Sequence, residues 1–352
     1  MSRPLRNKTF QFVTLLLGLW FAWDLISHLV AEVLWFKEVG YLSAFLKRLQ
    51  TQIGVWVVVC TTSAVFLLGN LFLANQLKYS DSSLLAKIAP EELSVSRQGL
   101  ARINLQLQRE TQPIRVGTGN SLREEVQKSS LGLNLRSLLV VVFFLSLLVG
   151  VMLLHYGKIA VSLWHSDVRL LNVTPPLPTP FNWSSVQALV QQPQTTQIWQ
   201  LGVLVAIAIG LIVKTRFGLS AIASVLSVFF AFVLSAQWGR ILLYFHPIAF
   251  NAKEPLFGRD ISFYIFSFPV WQLLDFWLRG LFLFGLVAVL LVYLLAGNSF
   301  SHGKFPGFSQ SQLRHLYGLV AGMAAVVAVR YWLSRYELLY STRGVTYGAS
   351  YT

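Results

Sequence analysis

The sequence predicts an all-α membrane protein, a polytopic bundle of about seven transmembrane helices with its N-terminus inside and its C-terminus outside. Three observations lead there. Of the 352 residues, 55% are hydrophobic and only 12% are charged, too little polar surface for a soluble fold of this length. The apolar residues come in blocks rather than at the period of an amphipathic helix or strand, and several blocks approach the roughly 20 residues that cross about 30 Å of hydrocarbon. The basic residues behind the net charge of +14 lie mostly between those blocks, where loops and anionic headgroups gather them. Phosphate binding by nucleic-acid proteins needs clustered Lys and Arg, so the expected partner is the lipid bilayer and not nucleic acid.

Taken in order, the first span is expected over Phe12–Trp35 and the second over Ile53–Leu73, joined by a short aromatic and basic turn. The first block is longer than a signal h-region and lacks a small-residue cleavage site, so it reads as a retained signal anchor. A basic segment at 76–136 follows, rich in Ser, Gln and Glu and placed outside the hydrocarbon on the cytoplasmic side. Within it Pro90-Glu91-Glu92 looks like a helix start, with Leu93, Leu100, Ile103 and Leu107 on one face; an interfacial amphipathic helix and a solvated helical hairpin both fit. The third span is Leu138–Tyr156, after which Pro175, Pro176, Pro178 and Pro180 exclude a continuous helix. A short fourth span, Trp199–Val213, and a fifth, Leu219–Phe245, are so close in sequence that they must form an antiparallel hairpin. Phe268–Leu295 and Leu316–Leu333 complete the seven. The absence of a long internal repeat argues against inverted-repeat transporter folds.

Orientation rests on Lys and Arg. With the N-terminus inside, sixteen lie on the inner side and nine on the outer, but nine of the inner ones belong to the long basic segment, and long loops weigh less in this rule.

Three stretches carry a family resemblance: EVLWFKEVGYLSAFLKRLQTQ from Glu32 to Gln52, PLFGRDISFYIFSFPVW from Pro255 to Trp271, and RYELLYSTRGVTYGASYT from Arg335 to Thr352. They resemble the uncharacterised protein family 0182, bacterial and cyanobacterial multi-pass membrane proteins without a settled biochemical function. Glu254-Pro255 stands where that family commonly has Asp-Pro. The resemblance implies seven N-terminal spans followed by a large extracytoplasmic domain, absent here because the chain stops where that domain would begin. It implies a bacterial cell membrane, or a thylakoid membrane if the source is cyanobacterial, and supplies no catalytic residues.

Two constellations are candidate sites. Asp24, His28 and Glu32 recur every four residues on the first span, one stripe with steps of about 6 Å. Arg240, Asp275, Arg279 and Arg330 fall on spans five, six and seven, and the predicted orientation puts all seven groups in the outer half of the bilayer. Ionisable groups at that depth face a partner or a wet cavity. They therefore make either a proton or cation path, with His28 as its switchable member, or internal ion pairs, which the supply of arginines favours. The second constellation is the stretch before span six, with Phe257, Gly258, Arg259, Asp260 and Tyr264. It reads as an interfacial elbow, with a gate or lipid-headgroup site as the sharper alternative.

Catalytic, cofactor and metal sites are not expected. Gly-rich phosphate loops, GxSxG and HExxH are missing, the six histidines lack ligand spacing, and Cys60 is the single cysteine and a packing residue. His246 reads as an interfacial cap, and Asn172-Val173-Thr174 is a sequon with meaning only in a eukaryotic secretory context. Two functions compete: a membrane anchor and scaffold for an extracytoplasmic domain, and a transporter or channel-like protein. Polar residues are scarce in the inner halves of the spans, which favours the scaffold.

Overall fold

The computed structural model describes residues 8–107, 135–164, 175–182, 184–187, 198–295 and 307–340, with the side chains of 8–15, 78–107 and a few others left out. Among the described residues all regular structure is helical apart from one antiparallel bridge between Lys253 and Asp260. The helices are α1 (Lys8–Glu38), α2 (Leu42–Leu107), α3 (Leu135–Trp164), α4 (Ile198–Val213), α5 (Thr215–Ala236), α6 (Trp238–Phe245), α7 (Phe268–Leu294) and α8 (Gln310–Glu337). Five stretches are long and apolar enough to cross a membrane: Leu42–Leu77, Arg136–Leu163, Thr215–Ala236, Phe263–Leu294 and Gln310–Glu337. Helix α1, 31 residues, and the shorter apolar α4 occupy the places read as spans one and four.

Local chemistry fixes the helix ends. Gly40, at φ +80°, closes α1; its N–H donates to Lys37 O at 3.2 Å and that of Tyr41 to Phe36 O at 2.9 Å, the paired bonds of a glycine-terminated helix. Phe36 then stacks on Phe45 at 4.7 Å, pinning the α1–α2 turn. At the start of α8, Ser309 accepts from the Gln312 N–H while the Gln312 side chain accepts from the Ser309 N–H. This reciprocal cap satisfies two otherwise orphaned donors.

Helix α2 corrects the sequence reading. A new helix was expected to start at Pro90, yet one helix of 66 residues runs from Leu42 through it, about 100 Å at 1.5 Å per residue. Proline removes a single bond, here to the Ala86 carbonyl, and that loss does not end a helix whose neighbours still pair. Residues 108–134 of the basic segment, and the face formed by Leu93, Leu100, Ile103 and Leu107, lie outside the described residues and side chains.

Between α4 and α5 the chain reverses within one residue, Lys214. Residues seven apart on a continuous helix are about 10 Å apart. Here a Cβ on Gly218 would stand 2.9 Å from the Leu211 side chain and 3.8 Å from its Cα, so α4 folds back on α5 and glycine leaves the room.

The core gathers around α5 and α7. Tyr156 of α3, Phe230 of α5 and Phe276 of α7 meet edge to face at 4.8–6.1 Å. Gly280 makes this crossing possible, because a Cβ there would lie 2.6 Å from Phe230 and 2.7 Å from the Tyr156 hydroxyl. Gly322 of α8 does the same for Phe282 of α7. Without a solvent-driven hydrophobic force in lipid, such close approach is what lets helix surfaces pack. Cys60 packs at the edge of this core.

Candidate functional site

Three polar groups stand out, and the principal one joins α7 to α8. Asp275 is buried, its side chain 3% exposed. It accepts from Arg279 Nη2 with both oxygens, at 2.7 and 2.8 Å, one helical turn away. Arg330 reaches over from α8, its Nε 4.0 Å from Asp275 Oδ2, and pairs through both Nη atoms with Glu337, Nη2 to Oε2 at 2.7 Å. Gln272 Nε2 donates to Glu337 Oε1 at 2.8 Å. Two carboxylates and two guanidiniums thus neutralise one another across the helix pair, the arrangement that makes buried charge tolerable. Of the seven residues predicted as a cluster, three, Asp275, Arg279 and Arg330, meet here. Gln272 and Glu337 were missed. Glu337 lies beyond the apolar block that defined the seventh span, although it falls seven residues, two helical turns, after Arg330.

The other four are elsewhere. Asp24 and Glu32 are exposed on α1, and the side chain of His28 is outside the described ones. Arg240 donates to the carbonyl of Pro175 at 2.5 Å and to Gln237 Oε1. Gln237 in turn donates through Nε2 to Pro176 O at 3.0 Å. The reason is the Pro-rich loop, whose prolines bring no N–H to pair the chain with itself. Side-chain donors serve it instead: Gln237 and Arg240 from the α5–α6 junction, His155 Nε2 with Thr179 O at 3.1 Å, and Arg279 with Asn182 Oδ1 at 3.4 Å. The loop is stapled to the same end of the bundle as the charge cluster.

The second group is the elbow from Phe250 to Ser262. Asn251 at φ 55° and Gly258 at φ 66° give it left-handed turns. Both acids cap backbone. Glu254 accepts from the N–H of Leu256 at 2.6 Å and Phe257 at 2.7 Å, and from the Tyr264 hydroxyl at 3.3 Å. Asp260 Oδ1 accepts from the N–H of Phe250 at 3.3 Å and Ser262 at 2.8 Å. Hydrogen bonds from Ser262, side chain first and then backbone, hold the Asp260 carboxyl below its ordinary range. Tyr264, read as part of the interfacial elbow, is buried within the protein, and its hydroxyl donates to Glu254 Oε2. Phe257, Phe263, Tyr264 and Phe268 surround Tyr336 of α8 at 5.1–5.9 Å. Arg259 lies over Phe263, 4.8 Å from the ring centroid. Ahead of Pro269 the helix widens into a π turn, Phe263–Ser267, with the Phe268 N–H bonding back to Phe263 O.

The third group was not foreseen and sits at the opposite end of α7. Tyr293 Oη lies 2.7 Å from His315 Nδ1, and His315 Nε2 lies 3.0 Å from Asn70 Oδ1. Asn70 Nδ2 donates to Phe66 O at 2.6 Å, which fixes Oδ1 as an acceptor. Hence His315 carries its proton on Nε2 and Nδ1 accepts from the tyrosine. Three helices share this chain, and no two of its residues are near in sequence. His246 Nδ1 lies 3.1 Å from Leu242 O, one helical turn back.

The profile of the uncharacterised protein family UPF0182 matches residues 10–352. The chain is 46% identical over 97% of its length to the UPF0182 protein alr1037 of Nostoc sp., covering 33% of that protein. It is 37% identical over 99% of its length to a UPF0182 protein of Trichodesmium erythraeum, covering 32% of it, and 33% identical over its whole length to one of Microcystis aeruginosa, covering 33%. The chain therefore spans about a third of the length of these curated relatives. No solved structure matches it. A match over nearly every residue, carried by relatives in several cyanobacteria, makes the chain a member of the UPF0182 family.

Proposed function

We propose that this chain is a seven-span membrane module, N-terminus inside and C-terminus outside, that anchors and holds an extracytoplasmic domain in a cyanobacterial cell or thylakoid membrane. One observation carries the reading: Asp275, Arg279, Arg330 and Glu337 are matched to one another at the α7–α8 end, and from Gly280 to Val292 α7 has no polar side chain. A conducting path needs polar lining through both leaflets. The serines of α5 do not supply it, since Ser220, Ser224 and Ser227 bond back to Arg216, Ser220 and Ala223 of their own helix. The transporter reading has in its favour the Asn70–His315–Tyr293 chain, but about 27 Å of helix separates Tyr293 from Asp275.

Two measurements test this. In a Cys60→Ser background, single cysteines at Lys47 and Lys253 should react with an impermeant maleimide from outside intact cells, and cysteines at Lys214 and Arg314 only after permeabilisation. Labelling of all four from one side sinks the topology. In proteoliposomes the chain should leave proton and cation gradients intact; a leak abolished by Asp275→Asn or Arg330→Gln would replace the scaffold with a transport pathway.

A further inference from the structure

We infer that the elbow between α6 and α7 is a lipid-binding wedge, seated in the headgroup layer and selective for anionic phospholipid. It lies between the ends of two membrane-length helices, α5 and the one opening at Phe263, so the bilayer boundary passes beside it. Its apolar side chains point outward: Phe245, Ile248, Phe250 and Leu256 are all at least half exposed. In water such a patch is a liability; at an interface it is an anchor.

Charge partition in the elbow supplies the selectivity. The two acids are held on backbone donors, Glu254 on the Leu256 and Phe257 N–H groups and Asp260 on those of Phe250 and Ser262. Lys253 and Arg259 stay exposed. An apolar surface edged by two cations, with its carboxylates already occupied, matches an anionic headgroup above acyl chains. A soluble domain packed on the elbow is the rival occupant, and the experiment separates the two.

The inference rests on α5 and α7 crossing the membrane and on neither the orientation nor the scaffold role. The chain, as Cys60→Ser with a single bimane-labelled cysteine at Ile248 or at Val228, is placed in nanodiscs of phosphatidylcholine with a minor fraction of brominated phosphatidylglycerol. Val228 is exposed in the middle of α5 and reports the span itself. The label at 248 should be shielded from aqueous iodide and quenched beyond the bulk fraction of brominated lipid. That enrichment should fall about fivefold for each cation removed by Lys253→Gln and Arg259→Gln. Lys253→Gln alone leaves the Arg259–Phe263 contact in place and should show half of the effect on a logarithmic scale. Iodide access at 248 with lipid quenching at 228 overturns the wedge and leaves the span intact. Iodide access at both overturns both. Lipid quenching at 248 equal to the bulk fraction and unmoved by the substitutions overturns the selectivity.

Discussion

Asp275 shows how much one buried carboxylate carries. Two guanidiniums depend on it, and with its side chain 3% exposed the pair is screened little. Replacing it by Asn should cost about 3–5 kcal/mol, the usual loss when one member of a buried pair is removed. Glu337 is about a third exposed, so Glu337→Gln should cost about 1 kcal/mol or less. Reversible unfolding in mixed micelles ranks the two, and an equal loss would contradict the greater weight given to the more deeply buried Asp275. His315→Leu breaks two side-chain bonds between helices and should cost about 1–2 kcal/mol by the same assay.

Asp260 gives the pH dependence of the elbow. Its carboxyl is held below the usual 3.8 in the folded chain, so the folded state favours the ionised form. The stabilisation is therefore complete above that ordinary value and is lost as pH falls through the lowered one. A fluorophore in the elbow should read the same signal from neutral pH down to about 4 and change only below it. Asp260→Asn should abolish that acid step, and a step persisting in this variant would assign it to another group.

Among the elements, the glycines of α7 and α8 carry the tightest constraint. A side chain at Gly280 would collide with Phe230 and Tyr156, and one at Gly322 with Phe282. Gly280→Leu and Gly322→Leu should each destabilise by at least the about 1–3 kcal/mol of an overpacked core. Gly239, with open space around it, is the matched control; Gly239→Ala should be nearly neutral in the same unfolding measurement. A collapse of all three to equal effects would contradict the packing described. Helix α2 is the element whose sequence misled most. Pro90 followed by two glutamates has the composition of a helix start, but composition at a proline cannot tell a start from a passage when the flanking residues are good helix formers.

At the scale of the whole molecule, the charge cluster and the Asn70–His315–Tyr293 chain occupy the two ends of α7, and the apolar packing of α5 and α7 lies between them. This division ties the fold to its proposed use. An inert middle suits an anchor, and stabilised ends keep it rigid. Truncation should therefore behave asymmetrically: deleting residues 310–352 removes Arg330 from beside Asp275 and strands Tyr293 and Asn70, His315's partners, and should prevent accumulation of the chain. Deleting α1, which meets the bundle at the Phe36–Phe45 turn, should leave α7 and α8 paired, as measured by crosslinking cysteines at Gln272 and Glu337. Loss of that crosslink would place α1 inside the bundle.

The sequence by itself determined the helical class and the family, and five of the seven spans expected from it fall on membrane-length helices, because hydrophobic run length and ordered motifs are local properties of the chain. It also led to the expectation that Asp24, His28, Glu32, Arg240, Asp275, Arg279 and Arg330 share one stratum, since position along a span is all that a sequence gives. Only the tertiary structure decided which of them meet. Helix rotation sets contact, and nothing in a span's length reveals it. Arg240 shares the level of Asp275 but answers to proline carbonyls in a distant loop. Asn70, His315 and Tyr293 became one chain only when three helices met. The elbow is expected to be interfacial from its aromatics, but the hold of Glu254 and Asp260 on backbone N–H groups, beside the exposed Lys253 and Arg259, depends on donors that a sequence does not display.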